Sequence, residues 1–159
     1  MLLIEILVLN PKCYLTSVAE DFEFVSEVNH PQVKSLVDFY HEQIAEGNLI
    51  EKLEKNISKV GLVHIADVPG RDEPGTGETN YPNIYEKLAD LNYTQYVATE
   101  FLPIGDPVAT LGAARETAIR AVQRVGANGH HTGLRLRIMD DSQVAESRSA
   151  ETMQESDLI

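Results

Sequence analysis

The chain has 159 residues, with 13 Lys and Arg against 25 Asp and Glu, for a formal charge of −12. That balance, with a pI near 4.7, argues against a protein that grips a phosphate backbone by charge. One cysteine excludes an internal disulfide framework, and no apolar run approaches the roughly 20 residues of a membrane helix.

The apolar start, Met1 to Leu9, has no basic leader, is interrupted by Glu5 and lacks a small-residue cleavage site. It reads as a buried strand covered on both faces over Leu2 to Leu9, and the cytoplasm is the expected compartment. Thr16 and Ser17 are N-cap types, and Val18, Phe22, Val25 and Val28 then recur at helical spacing until His30-Pro31. Lys34 to Phe39 is a second strand. Gly47-Asn48 opens a helix with Leu49, Ile50, Leu53 and Ile57 on one face.

Gly61 to Val68 is a third strand, running into a Gly- and Pro-rich loop over Pro69 to Asn80. Pro82 suits the first turn of a helix lined by Ile84, Tyr85, Leu88 and Leu91. Tyr96 to Phe101 is a fourth strand. Asp106-Pro107 pairs an N-cap with an N1 proline and starts a helix that stops near Gly126. Four βα units in series predict an α/β fold with a parallel sheet over residues 1–126. Residues 127–159, rich in Ser, Glu, Asp and Gln, read as a disordered acidic tail, with a weak strand signal at Leu134, Leu136 and Ile138.

Ionisable residues stand at the strand ends: Asp38, His64 and Glu100, with Glu5 in mid-strand. In parallel βα folds the C-terminal ends of the strands are where ligands sit. Carboxylates and an imidazole converging there suit a divalent cation such as Mn²⁺, Mg²⁺ or Co²⁺, which could polarise a carbonyl while a carboxylate moves a proton. The competing reading makes Asp38 a loop cap and His64 a hydrogen-bonded core histidine. The loop Gly70 to Glu78 lacks the phosphate-cradling order. It is either a structured turn in which Arg71 pairs with a neighbour, or a substrate-facing loop in which Arg71 meets an anionic or polyhydroxy ligand.

The runs VDFYHEQIAEGNLI (37–50), GLVHIADVPGRDEPGTGETNY (61–81) and LADLNYTQYVATEFLP (88–103) resemble the hydroxypyruvate isomerase family of xylose isomerase-like TIM barrels. The likeness covers residues 2 to about 124. It implies the C-terminal half of a (β/α)8 barrel, beginning at the fifth strand, because a complete barrel takes about 250 residues. It also implies a divalent metal on Glu5, Asp38, His64 and Glu100, with Glu5 and Glu100 as the acid/base pair and His41 and Arg71 as substrate contacts. The implied reaction interconverts hydroxypyruvate and tartronate semialdehyde through an enediolate.

Two departures shape the expectations. The family order E-x-L-N places a glutamate three residues before an Asn, but Asn10 here has Leu7 at that spacing. Glu5 should then point inward about 6–7 Å too deep for a metal bond, at roughly 3.3 Å per residue, unless the strand slips or bulges. The absent front half should leave two open strand edges that invite self-association or a partner supplying the N-terminal half-barrel. The leading expectation is an isomerase of a small hydroxycarbonyl substrate completed by a second chain. The alternative is a catalytically inactive half barrel or interaction module. A nuclease-like role is opposed by the negative charge, and neither nucleic acid nor membrane is expected as a partner.

Overall fold

The structure, a computed structural model, describes residues 1–8 and 12–127. Four strands, β1 (Leu2–Glu5), β2 (Val33–Asp38), β3 (Val60–Ile65) and β4 (Tyr96–Thr99), form one sheet in the order β1-β2-β3-β4. Every neighbouring pair is parallel, so each strand is joined to the next through helix. The helices are α1 (Val18–Val28), α2 (Phe39–Ala45), α3 (Leu49–Asn56), α4 (Tyr81–Asp90) and α5 (Pro107–Ala127), with a 3₁₀ turn at Ile57–Lys59. This is the expected run of four parallel βα units. Among the described residues no helix is long and apolar enough to cross a membrane.

Local chemistry accounts for the helix starts. Ser17 accepts from the Glu20 N–H at 3.2 Å while the Glu20 carboxylate reaches back to the Ser17 N–H, a complete capping box. Asn80 accepts from Asn83 N ahead of Pro82, and Asp106 accepts from Ala109 N at 2.8 Å ahead of Pro107. α1 closes on Asn29, whose left-handed backbone lets its N–H reach Val25 O. The second of the five helices is not in the sequence reading. α2 follows β2 without a loop because the Asp38 carboxylate, at the end of the strand, caps the Tyr40 N–H at 2.8 Å.

Alternation along the strands divides the sheet into two faces. Val37, Val63 and Val97 point to the helices and are buried, packing with Phe22, Leu53, Tyr85, Leu88 and Ala118. On the other face Leu62, His64 and Ala98 are only half-buried and Tyr96 is exposed. β1 is therefore not covered on both faces: Leu3, Ile4 and Glu5 are half-buried, and only Ile6, just past the strand, is fully enclosed. Its ladder ends at Glu5, paired with Leu36. Leu9 and Asn10 lie outside the described residues, as does the strand signal at 134–138; α5 runs one residue past the expected boundary at 126.

Candidate active site

Register decides which strand-end residues meet. Asp38 pairs with His64 and His64 with Ala98, while Glu5 pairs with Leu36, two residues short of Asp38. Glu100 lies two residues past Ala98, its N–H on Ile65 O at 3.1 Å. From Glu5 to Glu100 the row climbs four residues, about 13 Å, over three strand spacings, about 14 Å. That diagonal of roughly 40° matches the strand tilt of closed barrels, so the row lies level around a barrel axis. A flat sheet would hold its ends about 20 Å apart. Here one potential ligand atom from each of Glu5, Asp38, His64 and Glu100 lies within 4.8 Å of all the others, so the sheet curls to gather them. The displacement expected for Glu5 is thereby corrected: depth counted along one strand ignores the stagger between strands.

The other two expected site residues join the cluster. Arg71 donates from Nη2 to Asp38 Oδ2 at 3.2 Å and to Glu100 Oε2 at 2.6 Å, and from Nε to the Glu100 carbonyl at 3.4 Å. His64 Nδ1 lies 3.2 Å from the same Glu100 Oε2. His41 is 2 % exposed, with Nε2 3.8 Å from Asp38 Oδ2, and neither ring nitrogen has a hydrogen-bond partner among the described residues. Asp38 caps the Tyr40 N–H with Oδ1 and turns Oδ2 toward Arg71 and the cluster.

Burial, with repulsion from Glu100 and Asp38, raises Glu5 above the ordinary glutamate value. Burial also pushes Glu100 up, but a hydrogen bond with Asp38 and the His64 and Arg71 charges outweigh it, so Glu100 stays below. Burial raises Asp38 and lowers His41, favouring the neutral imidazole. The donor chemistry of three carboxylates and one imidazole fits a hard to borderline divalent ion.

The loop after β3 carries the residue that the sequence reading missed, Asp67. Its Oδ1 accepts from Val68 N (2.9 Å) and Thr79 N (3.0 Å), and its Oδ2 from Gly75 N (2.8 Å) and Gly77 N (3.0 Å). Its carbonyl receives the Arg71 N–H at 2.9 Å. Asp67 thus folds the loop and aims Arg71, whose backbone sits in the left-handed region at φ 62°. Tyr81 locks the strand end below, donating to Ala66 O at 2.6 Å and accepting from Ala66 N at 3.1 Å. Tyr40 was also missed; Arg71 rests 5.0 Å above its ring centroid.

Four parallel βα units in sequential order, with an acidic and imidazole cluster at the C-terminal ends of the strands, fit part of a βα barrel with the cluster at the end where such folds carry their sites. The match to a family model over residues 1–125 goes further: the chain belongs to the xylose isomerase-like TIM barrel family. It is 39% identical over 101 residues to a 2-oxo-tetronate isomerase of Haemophilus influenzae, covering 64% of this chain and 39% of that one. With the hydroxypyruvate isomerase of Escherichia coli it shares 33% over 93 residues, covering 58% and 36%. A crystal structure of an AP endonuclease, family 2, from Brucella melitensis superposes with a TM-score of 0.68 at 34% identity, covering 72% and 45%. The chain spans less than half the length of each.

Proposed function

We propose that this chain carries the metal- and proton-handling side of an isomerase acting on a small hydroxycarbonyl acid of the hydroxypyruvate or 2-oxo-tetronate kind. The carrying observation is the convergence of Glu5, Asp38, His64 and Glu100 within 4.8 Å. These four would hold a divalent ion, Mn²⁺, Mg²⁺ or Co²⁺, which supplies Lewis-acid polarisation of a carbonyl beside a hydroxyl. Glu5 ends β1 and Glu100 directly follows β4, the two outer strands of the sheet, so their carboxylates reach the cluster from its two edges. One takes a proton from the carbon bearing the hydroxyl while the other returns one to the neighbouring carbon through an enediolate, and the hydroxyl proton passes to the former carbonyl oxygen. The Arg71 guanidinium meets the substrate carboxylate, and neutral His41 hydrogen-bonds a substrate oxygen.

The open side of the sheet is closed by a second copy or by a chain supplying the other half-barrel, and a cytoplasmic setting goes with the single cysteine, Cys13. The experiment measures bound metal and hydroxypyruvate conversion by NMR for the purified chain, alone and with a half-barrel partner, beside Glu100→Gln. We expect both metal and conversion to fall together in the variant. Conversion that survives Glu100→Gln unchanged overturns the reading. A second reading, a non-catalytic half barrel, is favoured by the single neighbour that each outer strand has among the described residues. It expects a metal-free, inactive chain under every condition.

A further inference from the structure

Arg71 is seated in a way that substrate contact alone does not call for. Its Nη2 bridges oxygens of two different carboxylates, Asp38 and Glu100, both in the group able to hold a divalent ion. A guanidinium cannot shed its proton in a protein, so this positive charge is permanent. Its backbone is fixed from both sides, the N–H on Asp67 O and the carbonyl accepting from Leu102 N at 2.8 Å. Any displacement of the residue therefore falls to its side chain, which lies over the Tyr40 ring. Tyr40 is itself 8 % exposed, gives its N–H to Asp38 and packs edge-on to His41 with 5.5 Å between ring centroids.

We propose that Arg71 is a tethered counter-cation: it holds the Asp38 and Glu100 oxygens together until a divalent ion takes them over, and the ion's arrival releases the guanidinium toward the substrate's carboxylate. Arg71 offsets the mutual repulsion of the clustered carboxylates until the ion's double charge does so in its place. With Arg71, the cluster is assembled in advance, at the cost of a competitor for the ion. Binding then has an order, metal before substrate, because the group that recognises the substrate is occupied until the metal is in place. Tyr40 is the positioning residue, since it sets where the guanidinium rests in both arrangements. The inference rests on the metal reading of the site.

The test is Mn²⁺ affinity by calorimetry on the full chain and on Arg71→Met and Tyr40→Leu, with circular dichroism as the fold control. Alongside it, the Arg71 Nε–H resonance of the unaltered chain is followed by NMR through a Mg²⁺ titration. We expect Arg71→Met to bind Mn²⁺ at least tenfold more tightly, Tyr40→Leu to fall between it and the parent chain, and the Arg71 resonance to move as Mg²⁺ saturates. A folded Arg71→Met that binds Mn²⁺ as the parent does, or more weakly, overturns the inference and leaves the metal reading standing. Failure of every chain to take up Mn²⁺ overturns both. Should Arg71→Met lose its fold, the NMR titration decides alone: an Arg71 resonance unmoved at saturating Mg²⁺ overturns the inference.

Discussion

Replacing Asp67 by Asn changes one oxygen into an NH₂ and nothing else in size. In the native loop each carboxylate oxygen accepts two backbone N–H groups, so Asn must turn its donor toward one pair. It should keep its oxygen on Val68 and Thr79, which are buried, and turn the NH₂ toward Gly75 and Gly77, which are exposed. A hydrogen bond to a charged group contributes about 1.5–3 kcal/mol, and two are lost. Water can reach the exposed glycine amides, so the low end applies and the expected destabilisation is about 3 kcal/mol. For a chain of this size that lowers the melting midpoint by roughly 10 °C. Urea unfolding gives the total, and amide exchange locates it: Gly75 and Gly77 should exchange freely while Val68 and Thr79 stay protected. Burial pushes the Asp67 carboxyl up, but the four N–H donors outweigh it and hold it below the ordinary value. Its contribution is therefore present above the unfolded value and lost as pH falls through the folded one, a slope that Asp67→Asn should lack. A variant within 0.5 kcal/mol of the parent, with unchanged exchange at Gly75 and Gly77, would refute the account.

Two further substitutions probe buried carboxyls away from the site. Asp21, enclosed under β2 and hydrogen-bonded by the Ser35 hydroxyl, is raised by burial to about 6. A folded value above the unfolded one makes the stabilising balance fullest at low pH and erodes it as pH rises through 6. Asp21→Asn should remove that erosion and raise stability at pH 7 by about 2–3 kcal/mol, read by urea unfolding at pH 5 and pH 8. Glu42, buried on α2, is raised by burial to about 7 even though Lys52 is bonded to it. Lys52→Met strands that carboxylate and should cost about 3 kcal/mol at pH 8. At pH 5 the cost should shrink, because Glu42 is then neutral; a cost independent of pH would show that the ion pair carries none of it.

What the sequence displays and what it conceals follow from range. The caps at Ser17, Asn80-Pro82 and Asp106-Pro107 are local and legible. So are the ionisable residues at strand ends, since polarity inside an apolar run needs no partner to be seen. α2 is concealed because its N-cap, Asp38, is also the last residue of β2, and one residue carries both signals. β3 stops three residues before the expected Val68 because the Ala66 backbone bonds to the Tyr81 hydroxyl, fifteen positions away, and not to a neighbouring strand. Asp67 reads as an ordinary loop aspartate, since its four donors come from positions 68 to 79 and show no spacing of their own. The reach of Glu5 is illegible for a related reason: stagger belongs to pairs of strands, and a single strand does not record it.

The sequential strand order has a dynamic consequence. β2 and β3 are six residues long with neighbours on both sides, whereas β1 and β4 have four residues and one neighbour among the described strands. Local opening costs least where fewest interactions must break, so β1 and β4 should open at lower free energy than β2 and β3. Those outer strands carry or adjoin Glu5 and Glu100, while the better-held inner pair carries Asp38 and His64. Asp38 and His64 thus sit on the steadier pair of strands, while Glu5 and Glu100 sit on or beside the strands expected to open more readily. Pairing along both outer edges would therefore steady Glu5 and Glu100 together, and with them whatever role those two carboxylates serve.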